Sequence, residues 1–289
     1  MTLATPATAL RRGAHDHIVD VLIAERAPKL SASPAWPLLR PLLYAMLDYG
    51  KARRMAEAIE AMPGRLALDY VSDLLSLKVH ATGLDRVPAR GRLVVVCNHP
   101  TGIADGVAVF DALKALRPDV CFYANADAHR VSPRFDEVLI PVEWVEAKRT
   151  REKTRNTLVL TREVLEAERC LVVFPSGRLS RRQPDGTLLD PTWMPSAASL
   201  ARKYEAPVLP IHVAGPWSAM FHFFHGVSDE LRDITLFHEL LNKRGRAFEL
   251  IVGQPIAQDR LDGDPVEVTA RLKAHVERVL PAEPDRAFA

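Results

Sequence analysis

Leu93-Val-Val-Val-Cys97-Asn98-His99-Pro100-Thr101-Gly102-Ile103-Ala104-Asp105-Gly106 is the stretch that decides how this chain folds. An apolar, β-branched run stops at Asn98-His99-Pro100. A loop of small residues follows, and then an apolar helical pattern runs from Val107 to Leu116. Such runs bounded by turn residues read as strands, and apolar positions three to four apart read as helices. The stretch predicts strand, turn and helix, with a histidine at the strand's end and an aspartate at the helix's start. In open α/β sheets, ligands sit in the crevice beyond the strands' carboxyl ends.

Histidine takes a proton near neutral pH, and a carboxylate on its other ring nitrogen fixes its tautomer. Pro100 has no N–H to donate, and Gly102 lets the chain fold back tightly. The loop can therefore bring Asp105 against His99 across five intervening residues. His99 would then be a general base and Asp105 its orienter. Two plainer readings stay open on the residues alone. Asp105 can cap or charge-complement the helix start, and His99 can be an ordinary strand-end histidine.

Asn98-His99-x5-Asp105 resembles block I of the glycerolipid acyltransferases, the PlsC-type superfamily. Most of that family has four residues between the histidine and the aspartate. Five resembles a bacterial subgroup labelled "putative hemolysin", related to lyso-ornithine-lipid acyltransferases, where Asn-His-Pro-x-Gly-x-x-Asp-Gly is usual. Cys170-Leu-Val-Val-Phe174-Pro175-Ser176-Gly177-Arg178-Leu-Ser180 resembles the family's Phe-Pro-x-Gly block. Ala206-Pro207-Val-Leu-Pro210-Ile211 resembles its proline-containing strand. Glu239-Leu-Leu-Asn242-Lys243-Arg244-Gly245-Arg246, with Gly253-Gln-Pro255-Ile256 after it, is close to a subgroup stretch. The four blocks run in family order over roughly 79–256.

The resemblance implies a glycerol-3-phosphate acyltransferase-like α/β fold. It implies direct attack of a lysolipid hydroxyl on the thioester of acyl-CoA or acyl-carrier protein, with no covalent acyl-enzyme. These thioesters are co-substrates, and no resident cofactor or metal is expected. The sequence holds no G-x-S-x-G nucleophile elbow. His99 and Asp105 are the expected catalytic pair. Asn98, Thr101, Gly102, Phe174, Pro175, Ser176, Gly177, Arg178, Arg181 and Arg149 are the expected substrate-binding positions. The common superfamily block is Phe-Pro-Glu-Gly-Thr-Arg, and the subgroup often has Phe-Pro-Ala-Gly-Glu. Here Ser176 and Arg178 stand instead, so the usual acid is absent and an arginine replaces it.

Composition bounds the alternatives. The chain has 289 residues, 48% hydrophobic and 26% charged, which is ordinary for a globular protein with a sizeable core. A net charge of +2 makes no case for nucleic acid as a partner. Cys97, Cys121 and Cys170 lie in apolar strand-like runs without metal spacing, which predicts buried reduced thiols in a cytosolic compartment. No window reads as a transmembrane helix, and the first residues lack a secretory signal's order. The expected location is cytoplasmic, peripheral on the cytoplasmic face of the inner membrane.

Met1 to about Arg12 reads as disordered. His17–Leu30, Leu42–Ala61 and Leu66–Leu77 read as helices, and Pro34–Pro41 as a break. Residues 1–77 form the expected N-terminal helical segment. Its plain role is a helical layer packed on the main domain. Its sharper role comes from Trp36 to Arg54, where apolar and aromatic residues precede a basic cluster, as in interfacial membrane segments. Residues 78–289 form the expected acyltransferase domain. There strands alternate with helices: 79–82, 93–97, 120–124, 139–143, 171–174, 208–213 and 248–252 as strands, with helices at 105–116, 150–168, 196–204 and 266–279. This predicts a mixed, largely parallel sheet flanked by helices.

Other residues carry open readings. Arg178, Arg181 and Arg182 follow a strand, where planar guanidinium forks suit phosphate or carboxylate; a solvated basic loop is the alternative. Lys148 to Asn156 is a basic run that reads first as a solvated helix face. Arg149 within it matches the family's second block poorly, and Arg155-Asn156 fits slightly better. Trp217, Met220, Phe221, Phe223 and Phe224 suit core packing, an acyl-chain groove or a membrane-facing edge. His212, His222 and His225 have no common metal spacing. Two other functions remain: hydrolysis of a thioester or lipid by the same pair, and lipid binding without catalysis on an acyltransferase scaffold.

Overall fold

The computed structural model describes residues 17–143 and 149–289. The expected N-terminal disorder at Met1–Arg12 and Lys148 of the basic run lie outside the described residues. Five helices come first: α1 (Ile18–Arg26), α2 (Pro28–Ser31), α3 (Trp36–Met46), α4 (Tyr49–Ile59) and α5 (Gly64–Leu75). Nine strands follow: β1 (Lys78–Thr82), β2 (Leu93–Cys97), β3 (Cys121–Asn125), β4 (Leu139–Val142), β5 (Cys170–Val173), β6 (Arg181–Arg182), β7 (Leu188–Leu189), β8 (Val208–Ala214) and β9 (Ala247–Val252). Between and after them run α6 (Ile103–Leu113), α7 (Asp127–Val131), α8 (Arg151–Glu166), α9 (Ser196–Lys203), α10 (Ala219–His225), α11 (Asp229–Asp233), α12 (Leu236–Leu241) and α13 (Pro265–Ala274).

Seven strands form one sheet in the order β1-β9-β8-β2-β5-β3-β4, and β6 and β7 form a separate hairpin. From β8 to β4 every pairing is parallel; β9 runs antiparallel to β8, and β1 parallel to β9. The fold is the expected α/β sheet, mixed and mostly parallel. All five residues of β2 are buried because helices cover both faces. Leu93, Val95 and Cys97 pack with the N-terminal helices and α6, while Val94 and Val96 pack with α8, α9 and α13. This explains a continuous apolar run where a one-sided strand would alternate.

Pro210 sits inside β8, which is flanked on both sides. The β9 ladder stops at Ile211–Val252 and resumes only at the bridge Val208–Ile256. Residues 253–255 bulge past the proline, where a ladder N–H is not needed. Gly253 is required there, since a Cβ would lie 2.9 Å from the Pro210 ring.

The proline-punctuated stretch 34–41 differs from expectation. It is helical from Trp36, with Pro37 in the first turn and only Pro41 inside the helix. One proline in the second turn costs a single hydrogen bond, to the Pro37 carbonyl. The helix read from Leu42 to Ala61 is instead divided at Asp48, whose φ of 55° is left-handed. α1, α4 and α5 bury Leu22, Met55, Ile59 and Val71 in the same core as the sheet, so the helical layer and the sheet share one interior. α3 buries no residue.

Arg117 clamps the opposite edge of the sheet from His99. Its side chain is 1% exposed and grips Asp119 with two nitrogens, at 2.8 and 2.6 Å. It also donates to the carbonyls of Pro88, Gly91 and Glu168, which lie in the turns entering β2 and β5. Asp119 in turn accepts from the Cys170 N–H. The Arg117 hydrogen bonds hold the Asp119 carboxyl below the usual carboxylate range. A depressed carboxyl stabilises the fold above its unfolded pKa of about 3.9, and that stability is lost as pH falls through the folded value. Arg117→Met should therefore cost about 3 kcal/mol at pH 7. The part of that cost owed to the Asp119 charge should be lost as pH falls through the folded Asp119 value, while the part owed to the three carbonyls stays, as measured by urea denaturation across pH.

Candidate active site

β2 delivers the chain to the sheet's carboxyl edge, and the residues beyond it are fixed one by one. The Asn98 amide donates to the Val213 carbonyl at 2.8 Å and accepts from its N–H at 2.7 Å. Asn98 thus extends the β2–β8 pairing beyond Cys97–Ile211, and its side-chain polar atoms are committed to the sheet. The His99 N–H donates to Asp190, at 3.1 and 3.2 Å to its two oxygens, and the His99 carbonyl accepts from the Ser180 N–H at 2.8 Å.

The loop then turns back as expected. Gly102 has φ 96° and ψ −142°, a conformation that essentially only glycine adopts. Asp105, fully buried, accepts four hydrogen bonds. The Thr101 and Gly102 N–H groups donate to Oδ2 at 2.9 and 3.0 Å, and the Thr101 hydroxyl donates to Oδ1 at 2.6 Å. His99 Nδ1 lies 2.9 Å from the same Oδ2. Asp105 is both the acid of the α6 capping box and the partner of His99, so two readings that competed in the sequence coexist. With Nδ1 engaged, Nε2 is the ring nitrogen left to exchange a proton.

The imidazole stacks at a tilt on Phe174, with ring centroids 4.5 Å apart. His99 and Phe174 line a cavity of about 320 Å³ that runs under the N-terminal layer. Its wall includes Leu22, Met55, Ile59 and Val71, together with Ile103 and Val107 of α6. The volume is that of a small-molecule site. Gly102 and Gly177 also line it. Pro175 and Ser176 are buried, with Ser176 Oγ donating to the Arg178 carbonyl at 2.7 Å. Arg178 is exposed and Arg181 half-buried on the hairpin rim. Arg149 is not brought to this site. It is exposed beyond β4, three strands from β2, or about 14 Å at the usual strand spacing, and its Nε donates to the Glu143 carbonyl.

Several supports escaped the sequence reading. Asp190 also accepts from Ser180 Oγ at 2.6 Å and from the Trp193 indole N–H at 2.8 Å. Pro184-Asp185-Gly186 between two short runs was the turn signal that could have revealed this hairpin. Glu239 and Lys243 form a buried ion pair at 2.8 Å. Lys243 Nζ donates to Ser218 Oγ at 3.1 Å, and Ser218 Oγ donates to the Thr101 carbonyl at 3.4 Å. Glu239 and Lys243 stand four apart, the spacing of facing helix residues. His212 is held by the Val276 carbonyl and His222 stacks on Trp217. Among the described residues, no three His, Cys, Asp or Glu side chains converge as a metal site would require.

Residues 78–214 match the Acyltransferase family model. The chain is 26% identical over 205 residues to the lyso-glycine lipid O-acyltransferase of Phocaeicola vulgatus, covering 68% of this chain and 70% of that one. It is 23% identical over 207 residues to the lyso-glycine lipid O-acyltransferase of Bacteroides thetaiotaomicron, covering 68% of this chain and 74% of that one. The 1-acyl-sn-glycerophosphate acyltransferase PlsC of Thermotoga maritima aligns with a TM-score of 0.48 and 15% identity, covering 92% of this chain and all of that one.

Thr101→Val keeps the side-chain volume and removes the donor to Asp105 Oδ1. It should lower the unfolding free energy by about 1–3 kcal/mol, the cost of an unpaired buried polar atom, measured by urea denaturation.

Proposed function

We propose that this chain transfers a fatty acyl group from acyl-CoA or acyl-carrier protein to the hydroxyl of a lysolipid, with His99 as general base and Asp105 as its orienter. The observation that carries this reading is the 2.9 Å contact between His99 and a fully buried, fourfold hydrogen-bonded carboxylate, at the wall of an apolar cavity. The names of the two relatives support O-acylation of a lysolipid.

Nε2 takes the proton as the acceptor oxygen attacks the thioester carbonyl carbon. The C–O bond forms, the C–S bond breaks, and the proton passes to the departing thiolate. Asp105 holds the tautomer with its proton on Nδ1 and stabilises the imidazolium while it exists. No side chain need carry the acyl group. Cys97, Cys121 and Cys170 are all buried. Burial pushes the Cys121 thiol to about 11 and the Cys170 thiol to about 12, so neither supplies a thiolate at neutral pH.

The acyl chain occupies the cavity beneath α1, α4 and α5. No described helix is long and apolar enough to cross a membrane. α3 instead exposes Leu38, Leu39 and Leu42, with Lys51, Arg53 and Arg54 following on α4. Apolar residues beside cations suit contact with an anionic lipid surface. We place the protein peripherally on the cytoplasmic face of the membrane, where both thioesters are available.

The test is acyl transfer from palmitoyl-CoA to a lysolipid in vesicles, with product analysis. His99→Ala should lose about 10²- to 10⁴-fold in rate with an unchanged circular dichroism spectrum. Asp105→Asn should lose a large part of it by misdirecting the tautomer. Near wild-type transfer by His99→Ala overturns the mechanism. Release of free fatty acid without ester product identifies a hydrolase, and lipid binding without turnover identifies a non-catalytic scaffold. Ile59→Phe, which narrows the cavity wall, should shift preference from palmitoyl- towards decanoyl-CoA by about tenfold in kcat/KM, read by competition between the two donors.

A further inference from the structure

Residues 215–221 lie directly behind the loop that carries Asp105. A Cβ on Gly215 would stand 2.7 Å from Thr101 Cγ2, so the Thr101 methyl group fills the space this glycine leaves. With the methyl placed there, the Thr101 hydroxyl turns to Asp105 Oδ1. Ser218 Oγ donates to the Thr101 carbonyl at 3.4 Å, a long hydrogen bond that adds direction more than strength. Thr101 thus meets this segment with its methyl and its carbonyl, and meets Asp105 with its N–H and its hydroxyl.

The segment is gripped from its other side by two buried charges. The Lys243 and Glu239 side chains are 2% and 4% exposed. The Lys243 ammonium has three donors and spends all of them: on Glu239 Oε2 at 2.8 Å, on Asn242 Oδ1 at 2.8 Å and on Ser218 Oγ at 3.1 Å. Because the ammonium occupies a lone pair of Ser218 Oγ, the hydroxyl hydrogen is left to point at Thr101. Glu239 Oε1 accepts from the Phe221 N–H at 3.1 Å, and Asn242 donates to Oε2 at 3.2 Å. Burial would raise the Glu239 carboxyl, but the hydrogen bond and charge of Lys243 bring it below the usual range.

Stability alone does not call for charges here, since apolar groups of similar volume often replace a buried ion pair at no cost. What an apolar pair cannot do is hold two polar groups of one segment, the Ser218 hydroxyl and the Phe221 N–H. Ser218, Phe221, Glu239 and Lys243 all lie beyond residue 214, where the matched family segment ends, and the transfer step uses none of them.

We propose that Lys243, held by Glu239, is a positioning residue: it fixes Ser218 against Thr101 and thereby keeps Asp105 on His99 Nδ1. Its bearing on rate rests on the reading of the chain as a lysolipid acyltransferase; its bearing on the imidazole does not. Two measurements keep these apart. Nitrogen-15 NMR of histidine-labelled protein, with the His99 signals assigned by their loss in His99→Ala, reads which ring nitrogen of the neutral imidazole carries the proton. Acyl transfer from palmitoyl-CoA to a lysolipid in vesicles reads kcat and KM. Ser218→Ala keeps the ion pair and cuts the link to Thr101. The double variant Glu239→Gln with Lys243→Met removes both charges and leaves an amide oxygen for the Phe221 N–H. The wild-type protein should carry the proton on Nδ1. Each variant should move part of the neutral population to Nε2 and lower kcat about tenfold, with KM nearly unchanged and a urea midpoint close to that of the wild type. Adding Ser218→Ala to the double variant should cost no more than either change alone, because both cut the same link. A role in folding alone gives the opposite pattern, a lowered urea midpoint with tautomer and kcat kept, and that pattern overturns the proposal. Losses in kcat that multiply in the triple variant overturn it too. If the double variant fails to fold, Ser218→Ala with a wild-type tautomer is still enough to refute it. Absence of acyl transfer by the wild-type protein refutes the acyltransferase reading, and the tautomer of Ser218→Ala then decides the positioning role by itself.

Discussion

The site depends on one buried carboxylate finding a full set of hydrogen-bond partners. Asp105 has no contact with solvent, and an isolated charge there would cost many kcal/mol. Two backbone N–H groups, one hydroxyl and one imidazole offset that cost. Each donor is in place only if the loop takes one shape, with Gly102 at positive φ and Thr101 turned inward. The same carboxylate starts α6 by satisfying N–H groups that a helix leaves unpaired. Loop shape, helix start and histidine orientation are therefore one constraint, which is why so few residues set the geometry so tightly.

Much of this was legible in the sequence because it is local. Leu93–Cys97 announces a strand buried on both faces by the absence of alternation, and Pro100 and Gly102 announce a tight turn back. The proximity of His99 and Asp105 followed from six residues of chain. What was not legible is what other segments bring. Asp190 reaches His99 across 91 residues and Ser218 reaches Thr101 across 117. No periodicity encodes such pairs. Asn98 illustrates the converse: beside the histidine it suggested contact with a ligand, but its amide serves the backbone of a neighbouring strand. Arg149 illustrates the limit of motif matching, since strand order puts it across the sheet from β2.

The prolines show how tertiary context overrides punctuation. Pro37 and Pro41 suggested a break, yet a proline near a helix start removes few hydrogen bonds, and α3 forms through both. Pro210 in a flanked strand looks equally improbable. It is accommodated because Gly253 allows the neighbouring strand to approach just where the ladder lapses. In each case the local rule held, and the surrounding chain supplied the exception it allows.

The cavity wall has a thermodynamic consequence. Leu22, Met55, Ile59 and Val71 belong to the same interior that joins the helical layer to the sheet, and the void lies among them. An empty apolar space forgoes dispersion contacts. A hydrocarbon tail entering it supplies the missing atoms, so the ligand acts as a transient piece of the protein's own packing. Folding and loading are then linked by mass action: each tenfold rise in tail concentration above its dissociation constant adds about 1.4 kcal/mol to the folded state. On the reading proposed above, the unloaded molecule is the less stable form of the protein, and a shortage of acyl chains would weaken the interior that joins the helical layer to the sheet.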